Sequence, residues 1–192
     1  MKKSALSLVL AVFTGFTSIA NTTIDNEKKQ VKTSESTVTW KGYKVTGSHY
    51  GTIDLKEGAL IFDGDQLIGG EFTVDMGSLV SDDLQEEYKG KLENHLKSDD
   101  FFGVADHPTS KLVFTEVKAT GKNSYEVTGD LTIKGKTNPI SFDISVYGSK
   151  ATATMKVDRS LYDVKYGSGS FFDNLGDKTI YDEFDLVVDL VF

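Results

Sequence analysis

The sequence predicts an all-β protein: an antiparallel eight-stranded barrel with one amphipathic helix inserted between strands. Three observations carry that prediction. From Tyr125 to Val157, apolar and polar residues alternate in three consecutive runs parted only by short turns. A strand sends successive side chains to opposite faces, so these runs make a sheet with one apolar side. Further short strands with Gly and Asp punctuation lie on both flanks, which is hairpin chemistry. Only residues 83–97 carry a helical period, too little to cover so much apolar face. Closing the sheet on itself covers that face and removes its edges.

Residues 1–20 read as a signal peptide. Lys2 and Lys3 precede an apolar stretch from Leu6 to Ile19, and Ser18-Ile19-Ala20 offers small residues for cleavage before Asn21. The chain has no cysteine, so no lipid-modified cysteine can anchor it. The expected product is exported without a stable membrane anchor, to the periplasm by default or secreted. Residues 21–36 are polar and aperiodic, and are expected as a disordered lead-in to a barrel domain over 37–192.

The remaining elements follow in order. Residues 37–45 place Val38 and Trp40 on one face. Residues 49–56 carry Ile53 and Leu55, a turn is expected at Glu57-Gly58, and 59–63 and 67–76 follow. Between 83 and 97, Leu84, Tyr88, Leu92 and Leu96 recur every fourth residue, with Ser81, Asp82 or Asp83 as candidate N-caps. Gly90 inside that helix marks a place for a bend or break. Residues 109–118 return to strand, the three-strand meander follows, and 162–177 form a Gly/Ser/aromatic loop. The last strand turns Phe184, Leu186, Val188, Leu190 and Phe192 inward.

Composition narrows the partners. Lys and Arg total 21 against 29 acids, a formal net charge of −8 that grows two units more negative without Lys2 and Lys3. Nucleic acids and anionic membrane surfaces attract basic patches, so neither is expected as an electrostatic partner. With no disulfide available, the core alone must hold the fold.

No catalytic or metal-binding pattern stands out. His49, His95 and His107 lack metal-ligand spacing, and Ser160 and Ser168 lack a nucleophile-elbow motif. The pairs Asp82-Asp83 and Asp99-Asp100 read as caps and solvated turns rather than acid/base carboxylates. No cofactor or metal is expected. Arg159 is the only arginine in the chain; it has two readings, a bidentate clamp on an anionic head group or a structural ion pair closing one barrel end. Loop aromatics Phe101, Phe102, Tyr162, Tyr166, Phe171 and Phe172 either plug the barrel ends or line a ligand's entry.

The stretch Gly129-Asp130-Leu131-Thr132-Ile133-Lys134-Gly135-Lys136-Thr137-Asn138-Pro139-Ile140 resembles the most recognisable motif of the YceI-like family. Three further stretches agree in order. They are Gly47-Ser48-His49-Tyr50-Gly51-Thr52-Ile53, then His95 to Phe102 with His107-Pro108, then Val157-Asp158-Arg159-Ser160 with Val164 to Ser168. The resemblance runs from Val38 to Phe192 and implies an exported, lipocalin-like barrel that binds polyisoprenoids or related lipids. One departure is local: many members carry Arg-Asp just before His-Leu, where this chain has Glu93-Asn94. A basic group that would hold an anionic head group in relatives is absent there.

The resemblance and the alternation together give a set of expected ligand contacts. The pocket wall and mouth comprise Trp40, Ile53, Phe72, Phe101, Phe102, Leu131, Ile133, Phe142, Val146, Met155, Tyr166, Phe171, Leu186 and Leu190. His49 and Arg159 are the candidate head-group contacts. The implied function is non-catalytic binding and transport of a polyisoprenoid or other long-chain lipid, and a homodimer is compatible with it. A structural or stress-related envelope barrel with a packed core is the alternative, and a hydrolase or isomerase acting on bound lipid a third.

Overall fold

The computed structural model describes residues 26–192. Nine strands are present among them: β1 (Asn26–Gln30), β2 (Thr37–Lys44), β3 (Gly47–Asp63), β4 (Gln66–Ser81), β5 (Thr109–Ala119), β6 (Ser124–Ile133), β7 (Lys136–Tyr147), β8 (Lys150–Asp158) and β9 (Ile180–Val191). Helix α1 (Glu86–Lys97) joins β4 to β5. Eight strands, β2 to β9, pair antiparallel in sequence order, and β9 returns to β2 to close the barrel. The ninth strand, β1, adds to the second half of β3, from Asn26 opposite Asp63 to Gln30 opposite Ala59.

Alternation becomes burial along β6 and β8, while on β9 only Val188 and Leu190 of the inward set are buried. Along β6, Tyr125, Val127, Leu131 and Ile133 are buried while Glu126 and Asp130 are exposed. On β8, Ala151, Ala153, Met155 and Val157 are buried and every residue between them is exposed. The β6–β7 turn needs two residues with positive φ, and Lys134 (50°) and Gly135 (71°) supply them. That geometry matches the right-handed twist of the flanking strands.

Three expectations are corrected. The described part of the 21–36 lead-in is ordered: β1 is followed by a 3₁₀ turn at Thr33–Glu35, and Val31 is buried. Its ladder to β3 is main-chain pairing, which leaves no apolar period to read. Glu57-Gly58 is not a turn. It lies inside the seventeen-residue β3, beside a register shift between Leu55 and Glu57. A Cβ at Gly58 would sit 2.5 Å from the Phe72 ring, so the glycine admits an aromatic neighbour rather than a chain reversal.

The helix also starts later than expected. Gln85 occupies its N-cap without a side-chain bond, and Gly90 does not interrupt it. Ser81 and Asp83 are engaged elsewhere: the Ser81 hydroxyl donates to Asp83, and the Ser81 N–H donates to the Glu93 carboxylate. Glu93 thus fastens α1 to the end of β4. The signal peptide expected over 1–20 lies outside the described residues.

Candidate functional site: an apolar cavity with one mouth

The barrel is not solid. Its interior holds a cavity with about 170 Å³ of space open to the centre of a water molecule. A single water needs roughly 10–15 Å³ on that measure, so this is far larger than a packing defect. The wall is almost wholly apolar and draws on every strand of the closed ring, from Val38 on β2 to Leu190 on β9.

Eleven of the expected contacts line it: Trp40, Ile53, Phe72, Phe101, Phe102, Leu131, Ile133, Phe142, Met155, Leu186 and Leu190. Three do not. Val146 faces inward but sits past the cavity, near the β7–β8 turn, where it pairs with Ala151. Tyr166 is half exposed and packs edge-on against the His95 ring, centroids 4.3 Å apart. Phe171 is also outside, with Lys165 Nζ 5.2 Å from its ring centre.

The wall includes residues the sequence reading did not single out. Phe114 stands between Phe72 and Phe142, 5.6 Å from each ring, and makes a three-ring band across the wall. The spacing Ser110, Leu112, Phe114 carried the signal. Met76 and Leu79 also line the cavity; Leu79 lies beyond residue 76, the expected end of its strand, because β4 runs on to Ser81.

One end of the barrel is closed. Leu60, Phe62, Leu67 and Tyr125 are buried there, Val31 covers them from the lead-in, and Phe192 packs 5.7 Å from Phe62. The Tyr125 hydroxyl accepts the Leu67 N–H at 3.3 Å. The opposite end carries α1, the Phe101-Phe102 segment and the loop between β8 and β9, and Leu96, Ile180 and Tyr181 line the cavity there.

Arg159 frames this mouth. It is 2% exposed and donates to the carbonyls of Tyr181 (3.2 Å), Val164 (2.7 Å) and Ile180 (3.0 Å). Asp182 lies 3.4 Å from Nη2, and the Phe101 ring packs 5.3 Å from the guanidinium carbon. Burial lowers the Arg159 pKa, while Asp182 and Asp158 act the other way. The geometry is that of a structural tie holding the β8–β9 loop. Tyr162, Val164 and Ser168 are buried beside it. Burial, helped by Asp158, pushes the Tyr162 phenol to about 12.

His49 does not line the cavity. Its Nδ1 lies 2.8 Å from Asp83, which also accepts the Tyr50 N–H. Burial opposes ionisation of Asp83, but the bonds from His49, Ser81 and Tyr50 together outweigh it and lower its pKa. The three histidines stand apart in different surroundings: His95 between Phe101 and Tyr166, His107 against Gly103 and Gly135. Among the described residues no three His, Cys, Asp or Glu side chains converge as metal ligands.

A closed antiparallel barrel with an apolar hollow and, among the described residues, a framed mouth has the architecture of barrels that hold one small ligand. The chain belongs to the YceI-like family: the model of the YceI-like domain matches residues 23–192. A "UPF0312 protein" of Pseudomonas savastanoi pv. phaseolicola is 30% identical over 144 residues, 73% of this chain and 70% of that protein. Another, from Azotobacter vinelandii, is 32% identical over 91 residues, and the match spans 45% of its length. Among solved structures, Burkholderia cenocepacia BcnA shares the fold at a TM-score of 0.63 and 23% identity, over 84% of this chain and 99% of that one. A polyisoprenoid binding domain from Saccharophagus degradans shares it at 0.56 and 11% identity, over 84% and 95%.

Proposed function

We propose that the barrel binds and shields, without catalysis, the chain of a polyisoprenoid or other long-chain lipid in the cell envelope. The observation that carries this reading is the cavity, walled by apolar side chains and plugged at one end. Each methylene moved from water into such a wall contributes about 0.8 kcal/mol, so a long chain needs little polar recognition. The Saccharophagus degradans neighbour, described as polyisoprenoid binding, supports the same reading. Arg159 is assigned to the frame and not to a head group, since three of its donors already meet carbonyls. Export to the periplasm, or secretion, is part of the proposal and rests on residues 1–20.

The test is to purify the exported protein without detergent, record native mass spectra and extract it with organic solvent. A bound hydrophobic molecule of defined mass is expected, with stoichiometric uptake of added prenyl lipid by any empty fraction. Protein that carries nothing and takes up no prenyl lipid would leave the packed structural barrel as the better account.

A further inference from the structure

Large apolar side chains on the outside of this barrel are not evenly spread. Val45, Leu161, Tyr166, Phe171, Phe172 and Tyr181 are all substantially exposed, Phe172 at 50%, and all six belong to the β2–β3 turn, the β8–β9 loop or the start of β9. Near the plugged end, β4 and β7 expose Ile68 and Tyr147, and Tyr50, Tyr88, Val113 and Val187 are scattered singly over strands and helix. The segments that carry the six are joined at the mouth end. The Val45 N–H donates to Thr179 at 3.1 Å and the Ile180 N–H to Gly167 at 2.8 Å, so the turn, the loop and β9 are stitched together. Tyr166 joins them to the last turn of α1 through His95. Ile180 and Tyr181 also line the cavity, which makes the exposed rim continuous with the apolar wall.

We infer that this rim is a docking surface for a lipid bilayer, on which the mouth sits while ligand passes between membrane and cavity. The composition fits an interface. Phe171 offers a hydrocarbon body with the Lys165 ammonium over its face, and Tyr166 and Tyr181 offer rings with a polar tip, the side chains suited to the headgroup level. The rim's continuity with the cavity singles out a bilayer over a second copy. Each methylene drawn into water slows escape of a bound chain roughly fourfold, so a long chain needs a water-free path. Lys165 is matched by Asp163 at 2.7 Å, and the whole chain is acidic. Attachment is therefore apolar and uncharged in character, favouring zwitterionic lipid and resisting salt. Docking is useful only if the cavity carries lipid, so in purpose it rests on the function proposed above.

The experiment is flotation of the purified protein with phosphatidylcholine vesicles. Co-flotation is expected, retained in 0.5 M salt (roughly a 4 Å Debye length) and reduced when anionic lipid is mixed in. The double variant Phe171→Ser/Phe172→Ser should lower partitioning roughly tenfold or more. Phe171→Trp keeps an aromatic ring if that pair fails to fold. The emission it adds over that of the parent should shift to the blue with vesicles and be quenched by brominated acyl chains. An added emission that neither shifts nor quenches, or flotation abolished by salt, overturns the inference. Self-association in the ultracentrifuge that disappears in the double variant, without flotation, overturns it in favour of a second copy. Uptake of prenol delivered from cyclodextrin, measured on the unmodified protein, separates the two proposals. Uptake without flotation defeats docking alone, and flotation without uptake defeats the carrier reading alone.

Discussion

At the plugged end, Leu60 and Phe62 are sealed under Val31 and Phe192, and the Tyr125 hydroxyl takes up a main-chain N–H. At the mouth, Leu186 and Phe184 on β9 are only partly covered, and both line the hollow. Both ends are built from the same alternating strands. What differs is the supply of covering residues. The plugged end draws on residues outside the closed ring, β1, Val31 and the last residue Phe192; the mouth is given a frame instead. That frame is a small core of its own, with Arg159 bonded to three carbonyls and Tyr162 and Val164 buried around it. The hollow is thus framed at one end and stopped at the other.

The largest effect that separates the ends is on stability. Phe62→Ala should cost about 3–5 kcal/mol, because it opens a new void in a closed core. Leu186→Ala should cost less than about 2 kcal/mol in ligand-free protein, because it enlarges space that already exists. Urea unfolding of both variants measures the pair, and equal costs would mean that the mouth half is packed as tightly as the plug.

This difference also explains what the amino-acid order could and could not disclose. Strand alternation named most of the eleven wall residues, because period two decides the face a side chain takes. It is blind to how much space remains inside, since that depends on the volumes of side chains from strands distant in sequence. Phe171 and Tyr166 sit in a loop without a period, so nothing local distinguished rim from wall. Gly58 looked like a turn because a glycine needed for a close ring contact has the same letter as one needed for a reversal. Ser81 and Asp83 looked like caps because their acceptor oxygens suit a helix start. In the fold the Asp83 carboxylate faces His49 and Tyr50, on a strand more than thirty residues away. β1 was hidden because its pairing with β3 uses the main chain and its side chains alternate nothing apolar.

The frame can be probed by pH. Tyr162 ionises at about 12 in the folded protein against an ordinary value near 10, so folding favours its neutral form. Its contribution, roughly 2–3 kcal/mol, is complete below pH 10 and drains away as pH climbs through 12. Stability followed by denaturant melts between pH 9 and 12 should fall along this course. Tyr162→Phe removes the ionisation and retains the ring, and should flatten that part of the decline. If the variant and the parent decline together, the phenol is not sealed within the frame.

A smaller change tests the hollow itself. Ala153 on β8 faces the cavity, paired with Ile144 and Val188 on the neighbouring strands. In a packed core, Ala153→Phe would overfill the site and cost about 1–3 kcal/mol. In this barrel the ring has room to enter the cavity, so urea unfolding should change by less than about 1 kcal/mol while prenyl-lipid affinity falls roughly tenfold or more. The same substitution at Ala151, which is buried toward the plugged end and does not reach the cavity, should reverse the pattern, with stability lost and affinity spared in the folded fraction. Matching behaviour at the two alanines would erase the distinction between plug and mouth, because residues two apart on one strand face would then stand in the same environment.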